Sequence, residues 1–351
     1  MRSLKLLVLC LFTLLLLVAC GSPSKEDVVK KLSGKWDDSK GYELTAKMEI
    51  KTGAEPRNYQ VEVWHTKPDF YRVNVTEEAS GESQMIVRNE KGVFVVAPSL
   101  GKTYQFQSEW PKENSQGYLI EALAKDIALD ENATMTEEDK VYVFETKTRN
   151  NHQKILPTQK ITIDKKTLLP KKVSVFNENQ EEQITFTFDK IALGIERKKE
   201  DYAIDLKNSE KADGNEDDVD DDEEKDSDSE DDSTDTGGEA SIQTQYPTIE
   251  WEGVVLKEEK VMKTADGERI FMAYEGEKKF TLVQERSLPV NGELPVSVEG
   301  DPVDLGFTVA ALTEHSIRWE SGGQSFFLAS DNLTTDEMIE VAMSMAPSSL
   351  K

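Results

Sequence analysis

Histidines are the readiest general acids, bases and metal ligands in a protein, and this chain has three, His65, His152 and His315. They lie far apart in the sequence, and none has a partner at metal-ligand spacing. There is no Gly-x-Ser-x-Gly elbow to present a serine nucleophile and no glycine loop to cradle a phosphate. Carboxylates abound, 68 Asp and Glu against 42 Lys and Arg, but a catalytic pair cannot be told from surface charge by spacing alone. This inventory implies a non-enzymatic protein with no cofactor and no metal. One residue does have neighbours that specify its chemistry. Leu17-Val18-Ala19-Cys20 fits the bacterial lipobox, in which the cysteine thiol takes diacylglycerol and the peptide bond before it is cut.

What precedes Cys20 has the parts of an export leader: Arg2 and Lys5, an apolar run from Leu6 to Val18, and the small Ala19. The run is too short to span a bilayer, which takes about 20 apolar residues. Residues 1–19 are therefore expected to be a lipoprotein signal peptide and Cys20 the mature N-terminus, holding the protein on the extracytoplasmic face of the cell membrane. Two or three acyl chains anchor stably where one gives only reversible binding. Of the two cysteines, Cys10 leaves with the leader and the sulfur of Cys20 is acylated. No thiol then remains for a disulfide, redox chemistry or a thiolate metal site.

The remaining chain is long enough for two domains of ordinary size. A composition break marks their boundary. From Glu210 to Glu239 seventeen acidic residues face two lysines, a net of −15 out of the whole-chain −26. Such a stretch cannot bury enough apolar surface to offset its ordering entropy, so residues 209–243 are expected to be a disordered acidic linker. Carboxylate oxygens suit Ca²⁺, but the EF-hand pattern is absent and the stretch reads as a solvated spacer. Acidity also argues against nucleic acid as a partner, since such binding relies on cationic surface.

Between Cys20 and the linker, Ser24 reads as the N-cap of a short helix with the apolar stripe Val28, Val29 and Leu32, ending near Gly34. From Tyr42 the period changes to two. Leu44, Ala46, Met48 and Ile50 alternate with polar residues, and the alternation recurs around Val61-Val63, Tyr71-Val73, Val141-Val143, Ile161-Ile163, Val173-Val175 and Ile184-Phe186-Phe188. About ten short strands joined by tight turns imply one large antiparallel sheet, curled or barrel-like. An amphipathic helix at roughly residues 115–129 interrupts it, with Leu119, Ile120, Leu123 and Ile127 on one face. That face is expected to cover the open, concave side of the sheet.

The stretch Gln60-Val61-Glu62-Val63-Trp64-His65-Thr66-Lys67-Pro68-Asp69-Phe70-Tyr71-Arg72-Val73, with Ile86 to Pro98, Ile161 to Asp164, Pro170 to Val173 and Ile184 to Phe188 following in order, resembles the LolA-like lipoprotein-carrier superfamily. That group includes the periplasmic carrier, its outer-membrane acceptor and the sensor RseB. With its lipobox the whole chain resembles YdcC-like sporulation lipoproteins of Bacillus-type bacteria. The resemblance implies a mainly β fold with some α: an unclosed antiparallel barrel under a helical lid, with an apolar cavity for acyl chains or a hydrophobic peptide. It makes Val61, Val63, Tyr71 and Val73, with Leu119, Ile120 and Leu123 on the helix, the candidates for lining that cavity. The carrier's Arg-Pro pair, whose arginine bonds lid carbonyls, is matched by Lys67-Pro68, so Lys67 is the candidate lid contact. Lysine lacks the planar fork and offers a single attachment point.

Beyond the linker, alternation returns from Trp251 to Leu256. Two hairpins follow, Arg269–Tyr274 with Lys279–Val283 and Ser316–Glu320 with Gln324–Leu328, and Thr334 or Thr335 caps a last helix. Residues 244–351 thus read as a small α+β domain of a size able to form its own core. Two functions stay open. One is a lipid-anchored protein whose half-barrel binds an apolar ligand. The other is a signalling or assembly protein that docks a membrane-protein partner without a small ligand. An ABC-importer binding protein would fit the anchor, but not the antiparallel alternation.

Overall fold

The computed structural model describes residues 23–51, 56–111, 116–150, 153–204, 242–249, 251–264, 267–288 and 295–345. The leader with Cys20, His152, the acidic stretch up to residue 241 and Ser115 lie outside these. Helix α1 (Lys25–Asp37) starts where Ser24 accepts a hydrogen bond from the Asp27 amide. It runs one turn beyond the end expected at Gly34. Trp36 continues the stripe of Val28 and Leu32 and buries, and the Gly34 carbonyl is taken by the cap residue Asp38. Burial at every fourth position stabilises a short helix more than one exposed glycine weakens it.

Strands β1 (Gly41–Ile50), β2 (Arg57–Thr66), β3 (Phe70–Glu77), β4 (Ser83–Asn89), β5 (Gly92–Ala97) and β6 (Lys102–Phe106) form an antiparallel meander. Helix α2 (Ile120–Leu129) follows, then β7 (Thr134–Glu137), β8 (Val141–Lys147), β9 (Thr158–Asp164), β10 (Pro170–Phe176) and β11 (Glu182–Leu193). The two runs join where β11 pairs with β1. The period-two residues of β1 and β2 point to one side, where they meet the apolar faces of α1 and α2 in a shared core. Helix α2 begins five residues later than the sequence suggests. Gln116 to Leu119 form a turn in which Gly117 passes so near the Phe186 ring that a Cβ would come within 2.5 Å.

The second module holds β12 (Val255–Thr264), β13 (Gly267–Glu275), β14 (Phe280–Arg286), β15 (Val296–Val298), β16 (Asp301–Asp304), β17 (Val309–Leu312), β18 (Ser316–Ser321), β19 (Gln324–Ala329) and helix α3 (Thr335–Ser344). Both expected hairpins are present. The first strand starts later than expected, because Trp251 sits in a turn and packs edge-on against Phe280. Thr334 caps α3 in a reciprocal box with Glu337. Seven of these strands make an antiparallel sheet in the order β12-β13-β14-β19-β18-β17-β16. The eighth, β15, crosses over and lies parallel to β6, so the first sheet has twelve strands and runs unclosed from β15 to β7. The cores are continuous: Ile50 and Ile184 of the first module pack on Gly306 of the second, and one apolar cluster contains residues from both. No helix among the described residues is long and apolar enough to cross a membrane.

Candidate functional site

The inward phase of β2 carries Arg57, Tyr59, Val61, Val63 and His65. Its middle is apolar, and each end presents a polar ring or cation to a different surface. Val61, Val63, Val73 and Leu123 are fully buried, and Tyr71, Leu119 and Ile120 are nearly so. The fold therefore gathers all seven cavity candidates, from residues as far apart in sequence as 61 and 123, into one core.

At the His65 end, the first turn of α2 meets the sheet through polar contacts. Glu121 accepts a hydrogen bond from the Tyr42 hydroxyl at 3.0 Å, and its other oxygen lies 3.1 Å from His65 Nε2. His65 Nδ1 is 3.0 Å from the Phe70 carbonyl, which only accepts, so that nitrogen carries the hydrogen. The contact with Glu121 is attractive when a proton lies between ring and carboxyl. The His65 ring stacks on Tyr71 with centroids 4.2 Å apart. Burial lowers the His65 pKa, against the opposing pull of Glu121 and the Phe70 carbonyl. Burial, and then the Glu121 charge, push the Tyr42 hydroxyl well above the usual phenol range.

The far end of α2 has a second fastening. The Asp126 side chain is fully buried and takes Arg149 Nε and Gln159 Nε2, each at 2.6 Å. Lys67 lies at the other helix: its ammonium donates to the Asp37 carbonyl in the last turn of α1, and its backbone amide donates to Lys40. His65 had no partner visible in the sequence because Glu121 stands fifty-six positions away. The one available signal was that His65 continues the inward alternation of β2.

At the Arg57 end lies a cleft of about 980 Å³ between the modules. The first module supplies Arg57, Tyr59, Glu77 and Glu82, and the second Tyr246, Phe307 and Gln324. The Arg57 guanidinium carbon is 4.7 Å from the Phe307 ring centre and 5.9 Å from that of Tyr59. A smaller cavity of about 290 Å³ opens between β5, β6 and β15 on one side and β17 and β18 on the other, with Tyr104, Phe106, Val298 and Trp319 in its walls. Between them the modules are pinned. Tyr118 donates to Asp304 at 2.9 Å, Gln84 bonds both Thr308 and the Val309 amide, and Lys102 pairs with Glu320 at 2.7 Å. None of the seven cavity candidates lines either opening. The cleft was not foreseen, because its walls come from turns and ends that no periodicity marks. Among the described residues no group of three or more His, Cys, Asp or Glu is placed to hold a metal ion.

These features define a mainly β protein: an unclosed antiparallel half-barrel under two helices, joined edge and core to a smaller β module. The family model for "Sporulation protein YdcC-like" matches residues 1–202. "Sporulation protein YdcC" of Bacillus subtilis (strain 168) is 38% identical over 352 residues, spanning 100% of this chain and 98% of that protein. The chain belongs to the YdcC-like sporulation protein family. Among solved structures, the MucA/MucB complex of Pseudomonas aeruginosa matches at 14% identity and TM-score 0.33, over 93% of this chain and 99% of that one. A LolA superfamily protein from Nitrosomonas europaea matches at 10% identity and TM-score 0.29, over 52% and 99%. At such values neither neighbour bears on what this chain does.

Proposed function

We propose that this is a binding protein of the sporulating cell, held on the extracytoplasmic face of the membrane by diacylglycerol on Cys20, which docks a protein partner in the cleft between its modules. The two modules would correspond to residues 20–208 and 244–351, joined by the acidic linker 209–243. The observation that carries this reading is the contrast between the apolar middle of β2 and its Arg57 end. The half-barrel's apolar candidates are packed against one another, whereas the junction cleft is open and lined from both modules. Its volume is at the top of the range for ligand pockets. The name of the Bacillus subtilis relative supports sporulation as the process.

A photo-reactive residue at Ser99 or Tyr246, both exposed on the cleft, is expected to give the same discrete adduct from each position in sporulating cells, with one partner segment mapped by sequencing. Lys47, exposed on the sheet's other face, should give none. Adducts of equal yield from all three positions would remove the cleft as the docking site. Palmitate labelling of wild type but not of Cys20→Ala checks the anchor.

A second reading is supported by the convergence of Val61, Val63, Tyr71, Val73, Leu119, Ile120 and Leu123 beneath a helix fastened by polar contacts at both ends. Lifting α2 would expose an apolar interior for an acyl chain or hydrophobic peptide, with Lys67 holding α1 in place. Mass spectrometry of organic extracts of the purified protein tests it. Lipid-free protein that also takes up no fluorescent fatty acid would leave the docking reading alone.

A further inference from the structure

We propose that the junction cleft receives a basic polypeptide segment of the partner. The inference rests on the docking reading and adds the partner's chemistry. Among the described residues, the cleft's lining holds four carboxylates, Glu77, Glu78, Glu82 and Glu320, against one guanidinium, Arg57. Among the described residues, only Glu320 of these four forms an ion pair with an ammonium, that of Lys102. The groups bonded to the others are neutral: Ser80 donates to Glu77 at 2.6 Å, the Gln60 amide donates to Glu78, and the Gly322 backbone amide faces Glu82. Burial raises the pKa of Glu82, and the neighbouring charge of Glu77 raises it further. Glu77 and Glu82 repel one another, and the single charge of Arg57, which reaches Glu77, leaves the described lining with an excess of negative charge that favours a positive occupant.

Unpaired polar atoms point the same way. Among the described residues, three buried acceptors along this cleft have no donor: Gln245 Oε1, Glu320 Oε2 and Gln324 Oε1. Gln324, 8% exposed, spends its amide nitrogen on the Gln243 carbonyl, which leaves its oxygen without a partner. Lysine and arginine side chains are donors only, so they match this set. Among the described residues lining the cleft, the one buried donor without a partner is Arg57 Nη2, on a residue 7% exposed. It calls for an acceptor, and a peptide carbonyl supplies one. Phe307, Leu100 and Met345 in the same walls suit the apolar stems of long basic side chains. A segment that brings carbonyls, apolar stems and cationic donors together is a polypeptide rather than a small cation.

The test uses the full mature chain and fluorescence anisotropy at physiological salt. The probes are a labelled peptide alternating lysine and serine, its glutamine–serine isostere and its glutamate–serine counterpart, with spermidine as competitor. The lysine peptide should bind at least roughly tenfold more tightly than the glutamine peptide, a difference of about 1.4 kcal/mol. The double variant Glu77→Gln, Glu82→Gln should abolish that preference with a melting temperature no lower than that of wild type. The acidic stretch 210–239 is intact in the variant, so a preference that survives the substitutions belongs to that stretch and overturns the proposal. Equal or tighter binding of the glutamine or glutamate peptide, blocked by filling the cleft with Ser99→Trp, overturns the charge argument and leaves the docking reading standing. Spermidine displacing the peptide at matched charge concentration would show a small-cation site and overturn it too. If no peptide binds, the proposal falls, and the cross-linking from Ser99 and Tyr246 decides the docking reading separately.

Discussion

His65 shows how one side chain's value changes with its surroundings. In the sequence it is a lone histidine; in the fold it sits under the first turn of α2, between Glu121, Tyr42, Tyr71 and the Phe70 carbonyl. Burial lowers its folded pKa below the ordinary 6.5, so the unfolded chain takes up the proton first as pH falls. The sign follows from linkage: stability is complete above the unfolded value and is lost as pH drops through it towards the folded one, by up to about 1.4 kcal/mol per pH unit. Urea unfolding of wild type and His65→Gln at matched pH values isolates this term from that of the carboxylates. The gap between the two proteins should change between neutral and mildly acidic pH, and a constant gap would show that His65 does not titrate in this way.

At the scale of the element, α2 is held by two unlike means. Its apolar face, with Ile120, Leu123, Ala124 and Ile127, packs into the half-barrel, and Asp126 fastens it to Arg149 and Gln159. Asp126→Asn would keep the volume but turn an acceptor-only group towards two donors with an amide that also donates. A loss of about 3 kcal/mol is expected, since breaking a buried pair leaves its partner uncompensated; a loss within 0.5 kcal/mol in urea titration, about the effect of an ordinary surface change, would show that the pair is dispensable. Leu123→Glu distinguishes the two functional readings. Leu123 is fully buried, and a carboxylate there without a partner should lower the melting temperature by several degrees. Near-normal stability with loss of fatty-acid uptake would instead mark α2 as a lid over a cavity.

For the whole molecule, the consequence lies in the continuity of the core. The strand β15 lies on β6, Gly306 with φ +85° packs against Ile50, and Tyr118 reaches Asp304. Modules joined in this way should unfold together. Calorimetry is expected to show one transition, and a protease site engineered into the acidic stretch should yield two fragments that co-elute after cutting. Two separate transitions, or fragments that part on a sizing column, would mean that the interface adds little and the modules are independent domains. The cleft depends on the same interface, so loosening it should weaken docking in proportion.

Much of this was legible in the residues themselves. Ser24 and Thr334 announce helix starts because a side-chain oxygen before an apolar stripe satisfies amides that nothing else can reach. The alternations around Val61-Val63 and Ile161-Ile163 announce strands and their buried faces, because side chains on an extended chain point to opposite sides in turn. What the alternation leaves open is pairing, since any two half-apolar strands can lie side by side. That β1 takes β11 as its neighbour, that β15 leaves its own sheet for β6, that Glu121 meets His65 and that Arg57 stacks beneath Phe307 are results of tertiary structure alone. Each joins residues far apart in the chain, and only the combined burial of the whole core selects one such set of contacts over its competitors.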